Sequence, residues 1–468
     1  MKNIEFKPVE SCCEPTLMEK QISLQDPVHQ GELSHLPVAI IGAGPIGLAA
    51  AAHLIEAGQS FIIFEAGSKV GENISKWGHV RLFSPWQYNL DKAAERLLTK
   101  NGWIAPSPDE LPTGHELRDQ YLRPLAELPE INSDLHLNTR VVGISRKNTD
   151  KMKTPGREQQ PFVIYVEEKG KAKQYEARAV IDASGTWGKA NPVLSSGVLT
   201  SQEQSLHKQI FYGIPDVLGA DQVRYTGKHI AVVGGGHSAL NTLLDLAKLQ
   251  ETNAHTKLTW IMRRDQVEEA YGGEANDQLE ARGELGSRMH ELVDSGKVSV
   301  VTPFHIQELK QDGERITISG EQLGESRELQ HMDEIIVNAG SRPDFSFLGE
   351  LRLSIDQATE SVEALAPLID PNIHSCGTVR PHGEKELRHT EPGLYIVGMK
   401  SYGRAPTFLM ATGYEQVRSV VAFLAGDLEA AAKVELDLPE TGVCSVSRPQ
   451  AKQVQATGDC SSSCSNEG

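Results

Sequence analysis

The 468-residue chain carries 63 acidic against 46 basic side chains, a formal net charge of −17, with 39% hydrophobic and 23% charged residues. That length allows two or three domains with substantial cores, and the apolar content is ordinary for a globular fold. The acidic excess argues against nucleic-acid binding or attachment to an anionic membrane, so an anionic ligand must be held by local features.

Residues 1–35 are polar and mixed in charge and read as an N-terminal extension. No apolar segment of a secretory signal is visible there, so the cytoplasm is the expected location. Leu36–Ile41 (LPVAII) then reads as a short buried parallel strand. It runs directly into Gly42-Ala43-Gly44-Pro45-Ile46-Gly47. In this pattern Gly42 permits the tight turn, Gly44 lets the backbone approach a pyrophosphate, and Gly47 allows close helix–strand packing. A helix is expected from Ile46 to Ala57, its N-terminus favouring a phosphate. The next strand, Phe61–Phe64, ends in Glu65, where a ribose hydroxyl needs an acceptor. Two blander readings compete: a Gly-rich turn in an ordinary βαβ unit, and a membrane span over Val38–Ile55. The full pattern disfavours the first, and the Gly and Pro punctuation the second.

Leu135–Arg146 reads as a strand, 147–160 as a polar loop, and Pro161–Glu167 with Lys173–Ile181 as a hairpin. The meander returns to Asp182-Ala183-Ser184-Gly185, a strand end reaching a small-residue turn that can lie close to a ligand. The first dinucleotide unit is therefore assigned to residues 36–188.

A second strand, His229–Val233, meets Gly234-Gly235-Gly236-His237-Ser238-Ala239, with Ala in place of the third glycine. A helix through Asn241–Leu249 follows, then the strand Leu258–Met262, which ends in Arg263-Arg264 rather than an acid. A guanidinium there pairs with a 2′-phosphate. The alternative is a merely solvated Arg loop. Glu65 thus suits FAD at the first site, and the Arg pair suits NADPH at the second. This unit is placed at 189–345, with 187–228 as its link to the first, and its last strand reaches the turn Ala339-Gly340. Residues 346–430 carry the strand Gly393–Gly398 and a helix from about Thr407 to Leu424. Residues 431–468 form a Ser-, Pro- and Gln-rich tail, expected to be disordered at its end. The fold class expected is α/β, with two Rossmann-like dinucleotide-binding domains.

Both fingerprints, Glu65, the two small-residue turns and Ile396-Val397-Gly398 resemble the FAD- and NAD(P)H-dependent oxidoreductases with two dinucleotide-binding domains. These include thioredoxin-reductase-like enzymes and flavin-containing monooxygenases. The resemblance covers about residues 36–430 and implies that the NADPH domain is inserted into the FAD domain. It implies that Gly398 and the amides of Phe408 and Leu409, at the start of the last helix, lie beside the flavin. It also extends the expected cofactor-binding set to Ala66 and Val141. The thiol-reductase branch needs a redox-active cysteine pair, and no C-x-x-C stands near either fingerprint. Trp77 resembles the monooxygenase branch's aromatic after the ribose-binding acid. That branch's linker, F-x-G-x-x-x-H, is missing: Phe211 and Gly213 are present, but no His follows at that distance. A narrower resemblance, to arsenic-resistance flavin monooxygenases, rests on His374–Thr378, Lys400–Thr407 and the cysteine-bearing tail.

Cys12-Cys13 and Cys460-x-x-x-Cys464 read either as a soft-metalloid trap or, better, as free thiols on polar ends. His374, Cys376, His382 and His389 fit no familiar zinc spacing, so no metal is expected. Lys400, Tyr402 and Arg404 are candidates for substrate or flavin contacts, against surface charge and a packed Tyr. Trp77, Phe83, Trp86 and Trp187 are candidate flavin-pocket walls, against ordinary core. No catalytic acid or base is identified; the flavin carries the chemistry. The expected function is hydride uptake from NADPH by FAD and electron transfer to oxygen, oxygenating a small molecule such as a trivalent arsenical. The alternatives are a flavin reductase of a small disulfide or quinone, and a non-catalytic redox or metalloid sensor. The sequence leaves the oligomeric state open.

Overall fold

The computed structural model describes residues 33–277, 279–373, 382–406 and 408–436. The tail cysteines, His374 and Cys376 lie outside the described residues.

Two five-stranded parallel sheets organise the chain, each accompanied by a three-stranded antiparallel sheet. The strands in chain order are β1 Val38–Ile41, β2 Phe61–Phe64, β3 Leu135–His136, β4 Thr139–Arg146, β5 Phe162–Glu168, β6 Lys171–Ala177, β7 Ala179–Asp182 and β8 Ile210–Tyr212. There follow β9 His229–Val233, β10 Lys257–Ile261, β11 Val298–Val301, β12 His305–Asp312, β13 Arg315–Gln322, β14 Glu325–Met332, β15 Glu334–Val337 and β16 Leu394–Ile396. The first parallel sheet runs β16-β7-β1-β2-β3 and the second β11-β10-β9-β15-β8. The meanders are β4-β5-β6 and β12-β13-β14.

In both parallel sheets the strand feeding the glycine-rich turn is central. β1 pairs with β2 on one side and β7 on the other; β9 pairs with β10 and β15. The chain leaves the central strand toward one edge and returns on the other side. The crevice at the carboxyl ends of such strands, where the order reverses, is where an open α/β sheet binds ligands. β16 joins β7 only after the whole second sheet has been traversed, so the second unit is nested inside the first.

The helix Pro45–Glu56 is packed between β1 and the helix Met410–Leu424. Its run Ala49–Ala52 is fully buried, because only small side chains let two helices and a sheet approach that closely. Leu48 and Leu54 are fully buried beside it, each contributing roughly 1.5–3 kcal/mol of apolar burial.

The expected strand Leu135–Arg146 is in fact two, in different sheets. Asn138 breaks it with φ 54°, a left-handed conformation that Asn tolerates better than most residues. β3 thereby extends the parallel sheet while β4 opens the meander. The expected strand Lys173–Ile181 divides likewise at Arg178 into β6 and β7. The second meander, β12–β14, was not read from sequence.

Candidate functional site

At the end of β1 the three glycines do different work. Gly42 has φ +100°, and a Cβ there would stand 2.9 Å from the Ala183 carbonyl oxygen. A Cβ at Gly47 would stand 1.9 Å from the Gly42 carbonyl oxygen. Gly44, by contrast, has nothing within 4 Å of such an atom. Its backbone faces open space. Pro45 opens the helix at a position whose missing N–H costs nothing. The amides of Ile46 and Gly47 follow without intrahelical acceptors. A dinucleotide pyrophosphate fits this cradle: an open glycine face beside unspent N–H groups and the positive end of a helix.

Glu65, at the end of β2, accepts the Ala43 N–H at 2.8 Å through Oε2 and the Gly67 N–H at 2.7 Å through Oε1. The carboxylate is thereby held facing the cleft. Glu72 lines the same cleft, and its Oε2 is buried without a hydrogen-bond partner. A Cβ on Gly67 would touch both the Glu72 side chain and Glu65 Oε1, so the two acids sit on one side of that turn. Acceptors so placed call for a donor, and the hydroxyls of a ribose fit.

The cleft is one continuous feature. Gly42, Gly44, Pro45, Ile46 and Glu65 line it together with Trp77, Ala183, Ser184 and Gly185. Gly398, Met399, Phe408 and Met410 complete the lining. The Trp77 and Trp187 rings stand 6.3 Å apart on its wall. Of the other expected aromatics, Phe83 lies in a neighbouring cavity, while Trp86 is core, 2% exposed, and lines neither. Ala66 is exposed beside Glu65, and Val141 lies half-buried on β4; neither lines the cleft.

Lys400 is not the surface charge that a lysine in a loop suggests. It is 1% exposed, and its Nζ donates to Asp182 Oδ2 at 2.7 Å and to Ser184 Oγ at 3.1 Å. Ser184 Oγ donates in turn to Asp182 Oδ1 at 2.6 Å. The Phe347 ring lies 4.4 Å from the ammonium. The pair braces the end of β7 against the segment after β16. Arg404 is exposed, and Tyr402 is buried and edge-on to Phe408. His382 reaches the site indirectly: Gln416 contacts its Nε2 at 2.8 Å and accepts the Gly398 N–H at 2.7 Å.

The last helix begins at Met410, with Leu409 as its cap, rather than near Thr407. Thr412 N–H bonds back to the Leu409 carbonyl. The free amides at this helix end are therefore those of Met410 and Ala411, two residues later than expected at Phe408 and Leu409.

The second turn differs. Gly234 has φ +133°, and a Cβ there would stand 2.3 Å from the Asn338 carbonyl oxygen. Trp260 Nε1 donates to the Gly234 carbonyl at 2.7 Å. Gly236 is open, with nothing within 4 Å, and His237 and Ser238 begin the helix His237–Thr252. The His237 ring lies 5.4 Å from Phe83, so this helix end touches the first unit. Burial, with the Arg282 charge, holds His237 below its ordinary value, so it stands neutral at pH 7. Arg263 and Arg264 are exposed at the end of β10. Arg263 donates to the Ser195 carbonyl at 3.4 Å, and Arg264 to that of Glu269. Ala339 and Gly340 follow the end of β15 beside this turn; Asn191 Nδ2 donates to the Ala339 carbonyl at 2.9 Å, tying it to the connection between units.

Glu72, Met399 and Met410 were not singled out from sequence. Lys400 was, as a candidate substrate or flavin contact, and Asp182 precedes the recognised small-residue turn, but their pairing was not read. Among the described residues no group of His, Cys, Asp and Glu is arranged to hold a metal ion. No helix among them is long and apolar enough to cross a membrane.

The pattern of pyridine nucleotide-disulphide oxidoreductases matches residues 39–375. The chain belongs to that family. It is an oxidoreductase that works with FAD and NADP(H). Over 193 residues it is 30% identical to a ferredoxin–NADP reductase of Halalkalibacterium halodurans, a stretch covering 39% of this chain and 47% of that one. Its fold is similar to that of a bacillithiol disulfide reductase from Bacillus cereus, with a TM-score of 0.62 and 18% identity over 84% of this chain and 99% of the other. It is also similar to that of the cadaverine monooxygenase of Erwinia amylovora solved with FAD, with a TM-score of 0.60 and 14% identity over 86% of this chain and 97% of the other.

Proposed function

We propose that this flavoprotein takes a hydride from NADPH and uses oxygen to oxygenate a small molecule that meets the flavin directly. The observation that carries the reading is the cleft lining. Among the described residues it holds no thiol, and the sequence has no C-x-x-C to relay electrons to a disulfide partner. The balance is one NADPH, one proton, one oxygen molecule and one substrate giving NADP⁺, water and the oxygenated product. FAD, when bound, accepts the hydride and hands on its two electrons.

The chain's residues bind, orient and shield. Gly42, Gly44, Pro45, Ile46 and Gly47 would seat the pyrophosphate, and Glu65 the adenosine ribose, with Ala66 and Val141 near the adenine end. Trp77, Ala183, Ser184, Gly185, Gly398 and Phe408 would enclose the ribityl and ring portion, and the Met410 helix end would favour negative charge there. Gly234, Gly236, His237 and Ser238 would take the second pyrophosphate, with Ala339 and Gly340 below it. Exposed Arg263 and Arg264 would pair with the 2′-phosphate. The apolar lining at Ile74, Trp77 and Met410 excludes water from the reacting end. A trivalent arsenical is one fitting substrate, because arsenous acid is small and uncharged at neutral pH.

Anaerobic NADPH should bleach the yellow protein, and admitting air with arsenous acid should consume NADPH and oxygen in equal amounts as arsenate appears. No bleaching would overturn the reading. The missing F-x-G-x-x-x-H linker favours a second reading, in which the same site reduces a small quinone or disulfide. Full anaerobic turnover with such an acceptor, and none with oxygen and substrate, would establish it.

A further inference from the structure

A second cavity adjoins the flavin cleft and is chemically unlike it. It shares Phe408 and Met410 with the cleft and is closed by Leu82, Phe83 and Tyr88 of the first unit and Leu279 of the second. Its volume is about 170 Å³, close to that of a cavity of roughly 150 Å³ that holds one benzene.

No charged side chain lines it among the described residues, and its polar groups are largely spent. Asn89 Nδ2 donates to the carbonyls of Ser84 at 2.7 Å and Pro85 at 3.0 Å. Ser84 Oγ gives its proton to Asn89 Oδ1 at 3.0 Å. The Asn89 carbonyl accepts from the Tyr414 hydroxyl at 2.8 Å. The Tyr88 hydroxyl is then the one side-chain donor on the described wall with no partner. A charged guest would lose its water with nothing to replace it, whereas an uncharged one loses little.

We infer that this cavity is the substrate subsite, and that it admits an uncharged molecule of about one ring in size, with room for one hydroxyl or carbonyl at Tyr88. The inference rests on direct contact between substrate and flavin, as proposed above. It selects against anionic disulfides and charged amines, and for neutral phenols, small quinones and uncharged oxyacids.

The test uses the full-length protein with FAD bound, without NADPH, so that it does not depend on turnover. Phenol is titrated while the visible spectrum of the flavin is followed. Phenol should give a saturable difference spectrum, and benzenesulfonate, the same ring with a charge, should bind at least about tenfold more weakly. Leu82→Glu should abolish the phenol signal with FAD retained. Tyr88→Phe, a milder change, should weaken phenol about fivefold and leave toluene unaltered. Equal binding of phenol and benzenesulfonate, or an unchanged phenol titration in both variants, would overturn the inference. Failure of NADPH to bleach the flavin would instead overturn the catalytic reading, and the titration would still decide what the cavity takes.

Discussion

The two dinucleotide units share one plan and differ in how tightly they close. Both place a glycine-rich turn at the end of the central strand of a five-stranded parallel sheet. At the first turn the third glycine lies against the Gly42 carbonyl with no room for a methyl, and walls from β7, the segment after β16 and the last helix complete a cleft. At the second turn Ala239 is accommodated and fully buried, and the Arg263–Arg264 side stands exposed. Closure of this kind suits a cofactor that stays; exposure suits one that comes and goes every turnover.

Four changes would break or sharpen that contrast. The largest is Lys400→Met. It strands the Asp182 carboxylate in the wall of the closed site, and losing one partner of a buried pair costs about 3–5 kcal/mol. Denaturant unfolding should show that loss, and replacing both partners with apolar residues should recover most of it. Next is Gly47→Ala, whose methyl meets the Gly42 carbonyl at 1.9 Å. It should cost about 1–3 kcal/mol and release FAD on gel filtration, whereas Ala239→Gly in the second unit should cost only about 1 kcal/mol and leave the protein yellow. Third, Arg263→Ala with Arg264→Ala should raise the KM for NADPH about tenfold, about 1.4 kcal/mol, with little change for NADH. Equal losses for both nucleotides would remove the 2′-phosphate from the account.

The fourth effect is read by pH. Burial pushes His389, in the first unit, down to about 4. Between its unfolded value near 6.5 and that value the unfolded chain binds a proton the folded chain refuses, so stability falls as pH drops through this window. His389→Gln should flatten that part of the curve, followed as release of FAD fluorescence from pH 7 to 4. His229 and His237 in the second unit are moved in the same direction by burial, so a residual slope should survive the substitution.

The glycine turns, Glu65 and the strands that feed them were legible because each follows from local backbone geometry and a fixed spacing. The closing walls were not. Lys400 and Asp182 lie 218 positions apart and meet at 2.7 Å only because β16 returns to β7, and no local pattern marks a lysine that will be buried. Trp86 was taken as a candidate wall because aromatics serve core and pocket alike; only packing separates the two. The last helix was placed too early because Phe408 and Leu409 continue its apolar pattern, while the backbone at Leu409 is still extended, with φ −115° and ψ 150°. Asn138 hid a change of sheet inside one unbroken β-like run.

β8 bears on any attempt to divide the polypeptide. Ile210–Tyr212 lies well before the second glycine turn yet hydrogen-bonds along β15 as the last strand of that sheet. A fragment cut just ahead of His229 would bare the whole flank of β15, a ready template for intermolecular pairing. Expression of the pyridine-nucleotide half by itself should therefore yield aggregates from such a boundary and a dispersed product only when the cut falls upstream of Ile210.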